Sequence, residues 1–332
     1  MIDPEKLGKR LEEVWATLGR QADADGHEVM RACALTLIAV VDATEAEATA
    51  ETLAELMRDH PSRAIVVLLG EDEVLEADVE ARCWMPFGGR RQICSEQIAI
   101  RCSEKTIEET PGVILPLLAP DLPVVLWCAS ERAARARAFA SLAAPAGRVL
   151  LDSQRYSRPL DEPGSLTADL SWTRLTRWRA LLAQLFENEL YRQQLPRISQ
   201  VTIWCEGEAD TPVPRTALLL GGWLLPRLGG LAEDNLRLLR GAGACRPARL
   251  AALELSTIVG PVFRIRIART GESGGEVLVE LAGREPVLNR VSLPRSTDVL
   301  LLGEELSIQA PDPIFQQSRD RAAGIRPDWT SA

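Results

Sequence analysis

The 332-residue chain contains only two histidines, His27 and His60, and that scarcity narrows the chemistry open to it. A Ser-His-Asp arrangement would have to rest on one of the two. Seven cysteines, at 33, 83, 94, 102, 128, 205 and 245, form no CxxC pair and have few histidines to join them around a metal. No GxxxxGK[ST], HExxH or GxSxG occurs, and GAGACR (241–246) lacks the third glycine of a dinucleotide fingerprint. No apolar run approaches the roughly 18 residues of a membrane span. The longest, ALTLIAVV (34–41), suits a buried strand. The opening MIDPEKLGKRLEE is charged and amphipathic rather than secretory, and an odd cysteine count without a leader points to a reducing, cytoplasmic setting. A net charge of -9 argues against a nucleic-acid partner. These absences lead us to expect no metal, no cofactor and no membrane association.

What is present is patterned. Asp3 as N-cap and Pro4 at the first helical position start a helix with Leu7, Leu11, Val14, Trp15 and Leu18 at helical spacing, ended at Gly19. DADGHE follows as a loop holding His27. A buried strand over 31–41, a helix over 44–60 and a second buried strand over 60–70 make a βαβ unit. Alternating runs at 77–85 and 92–102, split by PFGGRR, read as a β-hairpin. A proline-interrupted helix, a strand at 121–128, a helix and a strand at 148–153 follow.

After a proline-bearing stretch, one long amphipathic helix is expected from about 169 to 193, then a strand and an apolar helix at 214–228 despite its Gly221-Gly222 pair. Four alternating runs, 249–258, 261–269, 276–282 and 287–293, predict an antiparallel meander, and helices near 296–308 and 312–323 close the chain. The expected class is α/β in two domains. An N-terminal α/β layer with a mixed sheet covers 1–155, a linker 156–168, a C-terminal α+β domain with the meander 169–323, and a tail 324–332.

The candidate site residues follow from this frame. HPSR (60–63) places His60, Ser62 and Arg63 at a βαβ turn, where they either shape the turn or bind an anion. Asp152 and Ser153 lie just past the C-terminal end of a strand, where ligands of α/β sheets dock. Asp121 reads as a turn or cap residue, and Trp127 reads as core ahead of a stacking platform. Arg264 and Arg266 share a strand face, either simply solvated or a docking stripe for an acidic partner.

In CSEQI (94–98), symmetric pairing about PFGG sets Val79 against Ile98, Ala81 against Glu96 and Cys83 against Cys94. Ser95 and Glu96 then lie within a buried strand. Glu96 points inward and needs a partner, for which Arg63, Arg82 and Arg101 are candidates. The two sulfurs come within disulfide range, and we read them as reduced core thiols, with a redox pair as the alternative.

In order along the chain, HPSRAIVV (60–67), CSEQI (94–98), LLAPDLPVVLW (117–127), LLDS (150–153), DLSWTRLTRWRALLAQ (169–184) and LLLGGWLLPRLG (218–229) resemble the OpcA family of glucose-6-phosphate dehydrogenase assembly proteins. The resemblance implies a non-catalytic protein that binds glucose-6-phosphate dehydrogenase and favours its active oligomer, feeding the oxidative pentose phosphate pathway. It also implies a link to thiol redox state, as in photosynthetic relatives. The strand ending LWCAS departs from the family pattern, in which a second tryptophan and a basic residue are expected. An alternative reading makes the chain a sugar-phosphate-binding enzyme or sensor that uses HPSR and LLDS.

Overall fold

The structure, a computed structural model, describes residues 2–331 apart from 27, 86–90, 158–166, 209, 230, 244, 246, 309 and 327–328. His27 and the PFGG turn therefore lie outside the described residues. The chain divides into two compact units. The first comprises Met1–Asp169 with Asp298–Pro311, the second Leu170–Thr297 with Asp312–Ala332.

The first unit begins with α1 (Pro4–Asp25), whose N-cap Asp3 accepts a hydrogen bond from the Glu5 backbone N–H. Gly19 does not end it. The helix gains more from burying Leu7, Leu11 and Ala22 than the roughly 1 kcal/mol that an interior glycine costs, and Gly26, at φ 68°, supplies the left-handed cap instead. The expected 31–41 strand is β2 (Leu35–Asp42), and a separate short strand, β1 (Glu28–Arg31), precedes it. Then come α2 (Ala46–Leu56), β3 (Ser62–Gly70), and the hairpin β4 (Leu75–Trp84) and β5 (Arg91–Ser103). They are followed by α3 (Thr110–Ile114), β6 (Val124–Cys128), α4 (Glu131–Ala134), α5 (Ala138–Ala143), β7 (Arg148–Leu151) and β8 (Thr167–Asp169). The last of these falls within the stretch expected to be a linker. It pairs with β7, and Thr167 and Asp169 are buried.

The sheet runs β4-β5-β3-β2-β6-β7-β8, with β1 beside the first residues of β5, and every pairing is parallel except β4 with β5. Ile38, Ile65, Ile98 and Leu126 on one face pack with Leu7 and Leu11 of α1, Val113 of α3 and Phe139 of α5. On the other face α2 lies against β2, and α10 (Asp298–Leu306) against α2. Arg148 fastens this returning segment. Its guanidinium pairs with buried Glu305 and donates to the carbonyls of Ile308 (3.1 Å) and Ala310 (3.2 Å). Asp121 adopts φ 65°, the turn conformation that short polar side chains tolerate.

In the second unit the expected long helix is three pieces, α6 (Leu170–Thr173), α7 (Thr176–Leu185) and α8 (Glu189–Arg192). Asn188 breaks the run by capping α8, its Oδ1 accepting from the Leu190 N–H. The sheet is β14-β13-β12-β11-β9-β10-β15. Here β9 (Gln200–Gly207), β10 (Leu236–Ala242) and β15 (Trp329–Ser331) run parallel. The strands β11 (Arg249–Ser256), β12 (Phe263–Thr270), β13 (Gly274–Leu281) and β14 (Val287–Ser292) form the antiparallel meander. Sequence reading assigned no element to β10 or β15.

The helices α9 (Arg215–Leu224) and α11 (Pro313–Ala322) pack together. The glycine pair explains that contact. A Cβ on Gly222 would come within 2.3 Å of the Ser318 carbonyl, and Ser318 Oγ donates to the Leu219 carbonyl at 2.5 Å.

Candidate functional site

Three polar constellations stand out. The first is on β5. Register pairs Val79 with Ile98, Ala81 with Glu96 and Cys83 with Cys94, as the inward-facing apolar residues demand. Glu96 is 3% exposed, and its two oxygens take donors from three elements. Arg63 Nε on β3 lies at 2.6 Å, the Trp15 indole N–H on α1 at 2.7 Å, and Arg31 at the end of β1 closes the set. Arg63 also donates to the Leu117 carbonyl at 2.7 Å, and the Arg31 guanidinium lies over the Trp15 ring at 5.2 Å. Of the three partners considered for Glu96, Arg63 is the one. Arg82 and Arg101 point to the opposite face, toward Glu80 and Asp78. Trp15 and Arg31 were missed because only the packing of α1 and β1 brings them to β5.

Beside this clamp Cys83 and Cys94 form a disulfide with their Cα atoms 4.0 Å apart, which corrects the reading of two reduced thiols. Directly opposed positions in a hairpin hold the sulfurs together whether or not they are bonded, so apolar patterning could not separate the two states. Ser95 faces the other way, its hydroxyl 3.4 Å from the Ala32 carbonyl.

The second constellation lies at the C-terminal ends of the parallel strands. Strand order reverses at β2, so the crevice past β2 and β6 is where an open α/β sheet ordinarily holds its ligand. Here the chain's own side chains fill it. Asp42 accepts from Ser130 Oγ (2.9 Å) and from Arg132 (3.0 Å), and Arg132 also pairs with Glu71 (2.6 Å) and Glu104 (3.5 Å). Arg155 is held by Glu45 (2.7 Å), Asp152 (2.8 Å) and Asp298 (2.6 Å). Although burial opposes the charge on Arg155, these three carboxylates raise its pKa above the ordinary arginine value. Ser153 is bonded to Asp169 through its hydroxyl and its N–H.

Six carboxylates around two guanidiniums give this edge a negative field. A phosphate would have to enter against it.

His60, Ser62 and Arg63 are not part of that edge. They stand at the start of β3, whereas Asp152 and Ser153 follow the end of β7, in the same parallel sheet. By register Leu151 is level with Val67, so Ser62 and Asp152 stand six residues apart along the strand direction, roughly 20 Å. The five residues of the sugar-phosphate reading therefore do not converge. Ser62 is buried, and His60 lies near Gly303 of α10. Trp127 is 1% exposed and belongs to the core. Burial pushes the Cys102 thiol up to about 11 and the Cys128 thiol up to about 12, so neither is a thiolate nucleophile near neutrality.

The third lies on the outer face of the second unit's sheet. Arg264 pairs with Glu280 (2.8 Å) and Glu254 (3.4 Å), and Arg266 lies over the Trp204 ring at 5.4 Å.

Comparison with known proteins matches residues 35–168 to the glucose-6-phosphate dehydrogenase subunit N-terminal domain and residues 165–319 to the corresponding C-terminal domain. The two domain types in tandem define the class. The chain belongs to the OpcA family. It is 32% identical over 186 residues to the putative OxPP cycle protein OpcA of Nostoc punctiforme, covering 52% of this chain and 39% of that protein. It is 28% identical over 199 residues to the Synechocystis protein of the same name, covering 55% and 40%. The match thus spans about two fifths of the length of these curated relatives. Among solved structures, a trehalose 6-phosphate synthase from Burkholderia multivorans overlaps 64% of each chain at 11% identity and a TM-score of 0.23, too slight a likeness to carry an argument. Among the described residues no helix is long and apolar enough to cross a membrane.

Proposed function

We propose that this chain binds glucose-6-phosphate dehydrogenase and favours its active assembly without catalysing a reaction itself. The observation that carries this reading is the tandem match to both dehydrogenase-subunit domain types across residues 35–319. The filled crevice supports it, because the usual ligand position of the sheet is taken up by internal ion pairs. The mechanism is linkage. A protein that binds the active assembly more tightly than the inactive one shifts the population by its difference in affinity, and a tenfold shift needs about 1.4 kcal/mol. Mixing purified chain with the dehydrogenase of the same cells and following NADP reduction tests the proposal. Faster reduction with co-elution on a sizing column is expected, whereas unchanged rates and separate elution would overturn it.

A second, regulatory reading is favoured by the disulfide. Cys94 sits two residues from Glu96 on the same strand face, so reducing Cys83–Cys94 loosens the hairpin that presents the carboxylate clamp. Comparing dehydrogenase activation by oxidised and reduced protein tests it, and equal activation would remove it.

A further inference from the structure

Twelve large hydrophobic side chains are exposed among the described residues, and five of them, Ile258, Val259, Val262, Val287 and Leu288, fall at one end of the second unit's meander. The β11–β12 turn carries the first three. The β13–β14 turn, which opens at the same end because the strands alternate in direction, delivers the other two. Val259 is 86% exposed and Ile258 60%. Clustered exposure of this kind marks interaction surfaces, whereas single exposed side chains do not.

The turn is held in shape. The Thr257 N–H donates to the Phe263 carbonyl and the Phe263 N–H to Thr257 Oγ1, each at 3.0 Å. Ser199 Oγ accepts from the Ile258 N–H at 2.9 Å, and Arg197 donates to the Pro261 carbonyl at 3.3 Å. Gly260, at φ 90°, takes a conformation closed to other residues. An apolar tip fixed before contact loses little ordering entropy when it docks.

Charge narrows the occupant. The second unit holds 20 basic and 15 acidic residues, net +5, on a chain whose first unit holds 18 and 32, net −14. All 20 of those basic residues are arginines; at the apolar tip Arg197 donates to the Pro261 carbonyl, Arg284 lies in the β13–β14 turn beside Glu285, and Arg264 is paired with Glu280 and Glu254. A second copy meeting this patch by two-fold symmetry would set one net-positive unit against another. A second copy meeting it head-to-tail closes only where the rotation generates a ring, and otherwise runs on as a filament. We propose that this end of the meander is where the chain docks on glucose-6-phosphate dehydrogenase, against an apolar patch ringed by carboxylates. The inference rests on the function proposed above and adds the surface that performs it.

The test measures binding of full-length chain to the dehydrogenase for wild type, Ile258→Asp/Val259→Asp, Arg197→Glu/Arg284→Glu and Leu300→Asp. Leu300 is 55% exposed in the first unit. Far-ultraviolet circular dichroism and a thermal melt of each variant verify folding. The aspartate pair should weaken binding at least tenfold, the charge reversal should weaken it less and flatten its salt dependence, and Leu300→Asp should leave it unchanged. If wild type binds and the aspartate pair binds equally well, the docking surface is wrong while the proposed function stands. If wild type does not bind, the functional reading fails and takes this surface with it. If the aspartate pair instead alters the chain's own elution, the patch covers a second copy and the inference is overturned.

Discussion

The two sheets end in different ways. In the first unit the edge strand β4 puts Glu76, Asp78 and Glu80 on one exposed face, and Asp78 is bracketed by Arg101 (2.7 Å) and Arg10 (3.4 Å). A row of charge is how natural proteins discourage a sheet edge from pairing with another chain. In the second unit the edge strand β14 exposes Val287 and Leu288 and carries a single charged residue, Arg290. One sheet is closed to outside partners and the other is left open. The same contrast holds for polar groups. The first unit buries its key carboxylate among donors from three elements, while the second keeps Arg264 and Arg266 on the surface with exposed or half-buried partners. Investment in a buried charge network stabilises one unit, and exposed apolar and arginine groups equip the other for contact.

The largest way to break this comparison is Arg63→Ala. It leaves Glu96 buried with Trp15 and a half-exposed Arg31, and should cost about 3 kcal/mol in urea unfolding of the first unit. Adding Glu96→Gln should restore part of the loss, because the stranded charge is then gone; no restoration would mean that the clamp acts through packing alone. Next, reducing Cys83–Cys94 reopens a loop of sequence separation 11, and we expect a loss of about 2 kcal/mol in the same unit, read as a lower melting temperature in dithiothreitol. An unchanged melting temperature would show that the hairpin keeps its shape in the unfolded ensemble.

Stability also has an alkaline limit, set by the buried thiols. Burial raises Cys128 from 9.0 to about 12 and Cys102 to about 11, so above pH 9 the unfolded chain loses these protons while the folded chain keeps them. The stabilisation is therefore complete below about pH 9 and falls by about 1.4 kcal/mol per pH unit for each thiol as pH rises toward the folded value. Flat stability between pH 9 and 11 in a Cys33→Ser/Cys245→Ser background would contradict this assignment. The smallest effect belongs to the open face. Arg264→Ala removes exposed ion pairs and should change stability by under about 0.5 kcal/mol. A loss comparable to that of Arg63→Ala would erase the contrast between the two units.

Much of this was legible in the chain. The hairpin register followed from placing Val79, Ile98 and Ile100 on one buried face, and that register in turn put Glu96 inside and made Arg63 a candidate partner. The four meander strands followed from their period of two. Other features were not legible. The long helix expected at 169–193 is three pieces, and the second of its two breaks is the Asn188 cap, a local competition that helical periodicity does not register. The strand β8 is three residues long, with nothing in its own pattern to mark it. HPSR at a βαβ turn and LLDS past the end of a strand were each read as a ligand position and offered together as an alternative site, yet strand direction sends them to opposite edges.

Residue order alone determined which side chains must be buried and, through the two-residue period of a strand, which of them share a face, since those preferences depend on immediate neighbours. Whether Cys83 and Cys94 are bonded, which donors reach Glu96, and that Arg132 and Arg155 occupy the crevice of the sheet were decided only in three dimensions. Those outcomes depend on distances between segments tens of residues apart, and only the packed sheet and its helices set them.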